Sequence, residues 1–315
     1  MKKIILDCDP GMDDSLAIIM AAKSPVLDLL AVTTVNGNYP VDVTCVNALK
    51  SLELIGRSDI PVARGLEKPL VRSASSDPFT HGSDGQAEAN LPEPIMPLSD
   101  MTAVDLIIDR IKANPGEVTI VSTAPMSNIA LAMIKEPEIK AMICEIVAIS
   151  GAFGLNKYAF INATGDTPQS EWNVYVDPEA AALVYGSGVK LTALGLDVAT
   201  YFDVNFNEED IMQLAGSDRS EAAFLLNAIR FVNGKGFDSY CTVIDCMAVA
   251  YAIDPSLVET MAARVGVETK DGLTLGMTVI DRRHHHVWEN LPLINVGVSA
   301  DYSQFLKLLM QLILK

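Results

Sequence analysis

Apolar, β-branched runs of strand length alternate along this chain with stretches whose apolar positions recur every three to four residues. Residues 3–6, 27–35, 118–122, 143–150 and 189–196 read as strands. Residues 42–56, 101–114, 128–135 and 177–186 read as helices between them, and residues 16–22 open another directly behind the first strand. Strand and helix in alternation predict an α/β fold with a mostly parallel central sheet flanked by helices. No linker, low-complexity stretch or internal repeat breaks the pattern, so residues 1–315 are expected to form a single domain. Residues 202–235 are predicted to be a helical insertion. Residues 72–97, rich in Ser, Pro, Gly and Asp, read as a long functional or mobile loop.

The first strand runs into Asp7-Cys8-Asp9-Pro10-Gly11-Met12-Asp13-Asp14, which places four carboxylates in eight residues. Like charges this close repel and raise one another's pKa unless a cation or a helix dipole offsets them. A helix N-terminus accounts for Asp13 or Asp14, because free N–H groups favour acids in the first turn. It does not account for Asp7 and Asp9 at the strand end, so a metal site outweighs the plain strand, turn and N-cap reading. Open α/β sheets bind ligands at the carboxyl ends of their strands. Here those ends carry Asp7 and Asp9, then Asn36-Gly37-Asn38, then Thr123, then Ser150-Gly151, ahead of a loop with Glu171-Trp172-Asn173. Each alone can be a cap or a turn; together on one edge they imply a metal-dependent site for a small polar ligand.

Composition narrows the ligand further. With 50% hydrophobic and 20% charged residues the chain can build an ordinary globular core. No run reaches the roughly 18 apolar residues of a membrane span, and Met1-Lys2-Lys3 leads into a strand instead of a cleavable signal, so a soluble cytoplasmic protein is expected. A net charge of -17 with no Lys/Arg stripe argues against nucleic acid as a partner. No phosphate-cradling G-x-x-x-x-G-K-[ST] loop is present. The five cysteines are odd in number and scattered, as reduced thiols are, and Cys8 reads as filler beside the site. His284-His285-His286 looks like a metal cluster, but consecutive strand side chains point to opposite faces, so an exposed turn is the favoured reading. Trp172 and Trp288 read as packing residues, with Trp172 also placed to form a pocket wall.

The acidic motif resembles the D-x-D-P-G-x-D-D signature of the inosine-uridine nucleoside hydrolase family, the calcium-dependent N-ribohydrolases. Residues 33–38, 123–130, 171–181 and 245–250 are similar to further blocks of that family in the right order and span most of the chain. The resemblance implies a Rossmann-like nucleoside hydrolase fold and Ca²⁺-dependent cleavage of ribonucleosides into ribose and a free base. By carry-over, Asp9, Asp14, the backbone carbonyl of Thr123 and Asp245 would hold Ca²⁺. Asp9 would be the general base on a water at the metal, and Asp13, Asn38, Glu171 and Asn173 would grip the ribose. His81, in Thr80-His81-Gly82, is similar to the family's loop histidine and would line the base pocket. A role in nucleoside salvage and a homodimer or homotetramer are further implications.

Two positions depart from the family. Ile244 stands where many members carry a histidine thought to assist the leaving base, and Tyr240 and Cys241 are the nearby candidates to replace it. Thr164-Gly165 stands where members usually have Gly-Asn, with Asn162 close by. These departures motivate an alternative, a metal- and ribose-binding protein with weak or no turnover. Asp7-Cys8-Asp9 also resembles the start of haloacid dehalogenase-like phosphatases, although Gly11 stands where that family expects Thr or Val, and the 171–181 block would go unexplained.

Overall fold

The computed structural model describes residues 1–200 and 205–315. Nine strands form one sheet: β1 (Lys2–Cys8), β2 (Leu27–Thr34), β3 (Val62–Arg64), β4 (Val118–Ser122), β5 (Ile143–Ile149), β6 (Leu191–Leu194), β7 (Val258–Val267), β8 (Thr278–Asp281) and β9 (Ile294–Ala300). Their order is β3-β2-β1-β4-β5-β6-β9-β7-β8. Every pairing from β3 across to β9 is parallel, while β7 runs antiparallel to both β9 and β8. The order reverses between β1 and β4. Chains leaving these two strands depart to opposite sides and open a crevice at their carboxyl ends.

Alternation along β1 divides the core into two layers. Ile4, Leu6 and Cys8 face one side, where they pack with α1 (Met12–Lys23) and the helices Cys246–Ile253 and Tyr302–Ile313. Ile5 faces the other, against the helices Ala103–Ala113, Ser127–Lys135 and Pro178–Tyr185. Most strands of the parallel part are buried on both faces, which is why they read as continuous apolar runs.

The helices predicted between the strands appear as α2 (Val41–Leu54) and the three just named, each within two residues of its expected limits, while the 16–22 stretch lies in α1, which starts four residues earlier. Residues 202–204 of the expected insertion lie outside the described residues; helices Glu208–Ala215 and Ser220–Gly234 occupy most of the rest. The 72–97 stretch includes the short helix Pro78–His81. Strand pattern did not anticipate β3, β7 and β9. β3 has three residues, and β7 mixes exposed and buried positions with Met and Ala, so neither shows a strand's usual signal. The three consecutive histidines follow β8 in an exposed turn, with His286 at φ 58°. Among the described residues no helix is long and apolar enough to cross a membrane.

Candidate active site

The acidic motif spans the end of β1 and the first turn of α1. Gly11 is the N-cap, and Asp14 reaches back to accept its N–H at 3.1 Å. Asp7 shares the Ile5 face and points into the sheet: Thr33 Oγ1 at 2.6 Å and Asn128 Nδ2 at 2.8 Å both donate to its Oδ1. Burial pushes its carboxyl up to about 7. Asp7 ties β1 to β2 and to the helix Ser127–Lys135, and does not line the cavity described next.

A cavity of about 410 Å³ opens at the strand ends. Its wall brings together Asp13, Asn38, His81, Thr123, Glu171, Asn173 and Asp245, seven of the predicted site residues, from six separated stretches of chain. Apolar and aromatic side chains complete it, among them Phe79, Ile149, Ile161, Trp172, Leu196 and Phe237. Among the described residues no lysine or arginine lines it. Such a lining, largely apolar with a few convergent polar groups, suits a small molecule with one polar and one flat face.

Asp9 and Asp14 are fully buried and lie behind this wall. Asp14 Oδ1 accepts from Thr123 Oγ1 at 2.7 Å, a contact made by a hydroxyl for which the sequence had suggested only the backbone carbonyl. That carbonyl accepts from Asn173 Nδ2 at 2.9 Å. Asp9 Oδ2 accepts the Asn38 N–H at 2.6 Å, while Asp9 Oδ1 is buried with no partner. Asp13, Asp14 and Asp245 each offer an oxygen within 4.8 Å of the others. Asp9, expected among the metal ligands, is not in that trio; the Asn38 N–H holds one of its two oxygens.

Burial is the main cause of a raised pKa in every acid here, and neighbouring carboxylates add to it at Asp9, Asp14 and Asp245. Asp13 and Asp14 are pushed up to about 6, Asp14 with the added charge of Asp13. Asp9 and Asp245 rise well above the usual carboxylate range, through burial and then through Asp14 and Asp13 respectively. Glu171 rises to about 7, against the pull of backbone N–H groups from Asn173, Gly151 and Val174. A partnerless buried carboxylate oxygen beside a trio of acids, all oxygen donors, fits a hard divalent cation.

The ribose-facing candidates are fixed by backbone contacts. Glu171 caps the helix Trp172–Val176, and Asn173 Nδ2 bridges the Thr123 and Ile149 carbonyls at 2.9 and 3.1 Å. His81 is buried at the N-terminus of α1, where its Nδ1 accepts the Met12 N–H at 3.4 Å and lies 3.6 Å from Asp13 Oδ1; the N–H contact assigns the ring proton to Nε2. Burial lowers its pKa, so the ring is neutral. Ile244 lines the cavity with Tyr240 and Cys241 beside it. The latter pair sits on a 3₁₀ turn, Ser239–Thr242, not on an α-helix. Asn162 and Thr164 also reach the wall, with Asn162 Nδ2 held by Thr200 and Thr164 Oγ1 accepting from the Trp172 N–H. Asn36 turns away, donating to the Tyr39 and Ser75 carbonyls.

Pattern reading named Gly37 only as part of a turn; its role is close approach. A Cβ there would sit 2.0 Å from Asp9 Oδ2. Gly37→Ala is therefore expected to displace the Asp9 carboxylate and cut turnover at least tenfold (about 1.4 kcal/mol), with a smaller change in thermal midpoint. Steady-state kinetics beside a melting curve tests this; unchanged turnover would overturn it.

Comparison with known proteins follows this geometry closely. Residues 4–307 match the sequence profile of the family described as inosine-uridine preferring nucleoside hydrolase. The pyrimidine-specific ribonucleoside hydrolase RihA of Salmonella newport (strain SL254) is 38% identical over 310 residues, covering 97% of this chain and 96% of that protein. Among solved structures, the plant nucleoside hydrolase PpNRh1 aligns with a TM-score of 0.87 at 31% identity over 99% of both chains. The purine-preferring ribonucleoside hydrolase from Gardnerella vaginalis aligns at 0.86 and 31% identity, over 99% of this chain and 98% of that one. The match runs through every block of the cavity wall, which leaves the phosphatase reading of Asp7-Cys8-Asp9 without support. The chain belongs to the inosine-uridine preferring nucleoside hydrolase family and is a ribonucleoside hydrolase, acting on N-glycosyl bonds.

Proposed function

We propose that this protein hydrolyses ribonucleosides with Ca²⁺ as its metal and Asp9 as its general base, and that pyrimidine ribonucleosides are its preferred substrates. The observation that carries this reading is the partnerless Asp9 Oδ1 next to a cavity on which Asp13, Asn38, Glu171, Asn173 and Asp245 converge. The base preference rests on the name of the 38% identical relative. The ion would be held by Asp9, Asp14, Asp245 and the Thr123 carbonyl. When bound, Ca²⁺ supplies the positive charge that keeps these carboxylates ionised and makes a neighbouring water more acidic.

The chain's own groups then divide the work. Asp9 takes the proton of the attacking water. Asp13, Asn38, Glu171 and Asn173 hold the ribose hydroxyls, and their carboxylates stabilise the positive charge that grows on the sugar as the bond to the base breaks. Ile244 can donate nothing to the departing base. His81, neutral with its proton on Nε2, serves as hydrogen-bond donor to that base, and the aromatic wall of Phe79, Trp172 and Phe237 encloses it. One continuous sheet supports reading residues 1–315 as one unit; a homodimer or homotetramer in the cytoplasm, serving nucleoside salvage, completes the proposal.

Ribose release from uridine, cytidine, inosine and adenosine, with and without a calcium chelator, tests this reading. Chelator-sensitive release led by uridine and cytidine is expected. Purines leading would overturn the base preference alone. No release from any nucleoside by folded, calcium-loaded protein would sink the hydrolytic reading in favour of binding without turnover.

A further inference from the structure

Three of the four non-glycine residues with left-handed backbone among the described residues lie together, at Ala87, Glu88 and Asn90, with φ of 58°, 55° and 49°. Gly85 joins them at 75°. Side chains pay a conformational cost in this region, so a run of them persists only where surrounding contacts over-determine it. Here one carboxylate does much of that. Asp84 Oδ1 accepts the N–H groups of Gln86 and Glu88 at 2.8 and 2.9 Å, and Oδ2 accepts that of Asn90 at 3.1 Å.

The run is bolted to the elements around the cavity. Gln86 Nε2 donates to Ser15 Oγ of α1 and to the Asn47 carbonyl and Ser51 Oγ of α2, at 3.0, 3.3 and 3.3 Å. The Ala87 N–H donates to the His81 carbonyl at 2.8 Å, and Tyr39 Oη donates to the Gly82 carbonyl. His81 in turn has little freedom of its own. A Cβ on Gly11 would fall 2.5 Å from its Nδ1, so the ring already lies against the acidic turn.

We propose that Asp84 is a positioning residue for His81: by locking the left-handed run it holds the imidazole against the N-terminus of α1, aimed at the leaving base. This rests on the ribonucleoside hydrolysis reading above. Asp84 is not on the cavity wall and acts only through His81.

The chemistry of the leaving group separates this role from general structural support. Uracil leaves with a charge that a hydrogen-bond donor stabilises, whereas nitrophenolate leaves readily without one. Turnover of uridine and of p-nitrophenyl β-D-ribofuranoside is therefore compared across Asp84→Ala, Asp84→Asn, His81→Ala and the double variant His81→Ala/Asp84→Ala. Asp84→Ala is expected to lower kcat on uridine about tenfold or more, with the aryl riboside changed less than about twofold. Asp84→Asn, which keeps one acceptor oxygen, should recover part of the uridine loss and carries the same comparison should the alanine variant not fold. The double variant should match His81→Ala, since two residues acting as a unit do not add. Asn90→Gly keeps the donated N–H and suits the left-handed φ, so its substrate ratio should be that of the wild type. Equal losses on both substrates, no loss on either, or additive losses in the double variant would overturn the proposal. Wild-type protein that cleaves neither compound would fail the hydrolase reading instead.

Discussion

Asp9→Asn is expected to lower ribose release by about 10²- to 10⁴-fold, the usual worth of a general base. The substitution keeps an oxygen that can accept the Asn38 N–H, now at 2.6 Å, so the turn at residues 36–38 has no cause to move. It removes the negative charge and the basicity, nothing larger. Thermal stability without Ca²⁺ should hold or rise, because a buried carboxylate whose pKa is driven upward by desolvation and by Asp14 is replaced by a neutral group. Ribose release and a melting curve on the same preparation check both parts. Near-normal turnover in the variant would remove Asp9 from the role of base and point to another member of the acidic group.

Removing calcium should abolish ribose release and also reverse the way stability depends on pH. In the metal-free folded protein Asp13 and Asp14 hold protons up to about pH 6, and Asp7 and Glu171 up to about pH 7. The unfolded chain releases them near the ordinary carboxylate value of about 4. Folded pKa values above unfolded ones mean that these groups' contribution to stability is full below about pH 4 and is lost as pH rises through 6 and 7. The chelated protein should accordingly melt at a lower temperature at pH 8 than at pH 5. Calcium binds the ionised form, so it should raise the melting temperature much more at pH 8 than at pH 5; at about 100 times its Kd a ligand adds about 2.7 kcal/mol. Calorimetry at the two pH values, with calcium and with chelator, tests this. A calcium effect of equal size at both would mean that the raised acids are not the groups the ion meets.

Much of the candidate site was legible in the sequence because its residues crowd into short motifs. Asp9, Asp13 and Asp14 lie within six residues, and Glu171 and Asn173 within three, so the stretches stand out without a fold and their likeness to a family suggests each residue's part. The parallel strands were legible for a related reason: burial on both faces writes an unbroken apolar run. Most of the antiparallel edge was not, since β7 mixes exposed and buried positions and β9 is defined by pairing more than by composition; only β8, within 278–283, reads as a hairpin strand. Gly37 and Asp84 show the same limit close to the site. Nothing in Asn36-Gly37-Asn38 says that Asp9 lies against it, and nothing in Asp84-Gly85-Gln86 says that a carboxylate turns back on three N–H groups.

The sequence by itself determined the family, the acidic motif and the strand and helix alternation, because these depend on neighbours along the chain. The tertiary structure decided which of the acids meet. Asp245 joins Asp13 and Asp14 across more than 200 residues, since the helix Cys246–Ile253 that starts at it packs with α1 in the same layer of the core. It also sent Asp7 into the sheet and left Asp9 behind the cavity wall, because Asp7 lies within β1, where Thr33 and Asn128 reach it, whereas Asp9 lies past the strand's end, where the Asn38 N–H holds one of its oxygens.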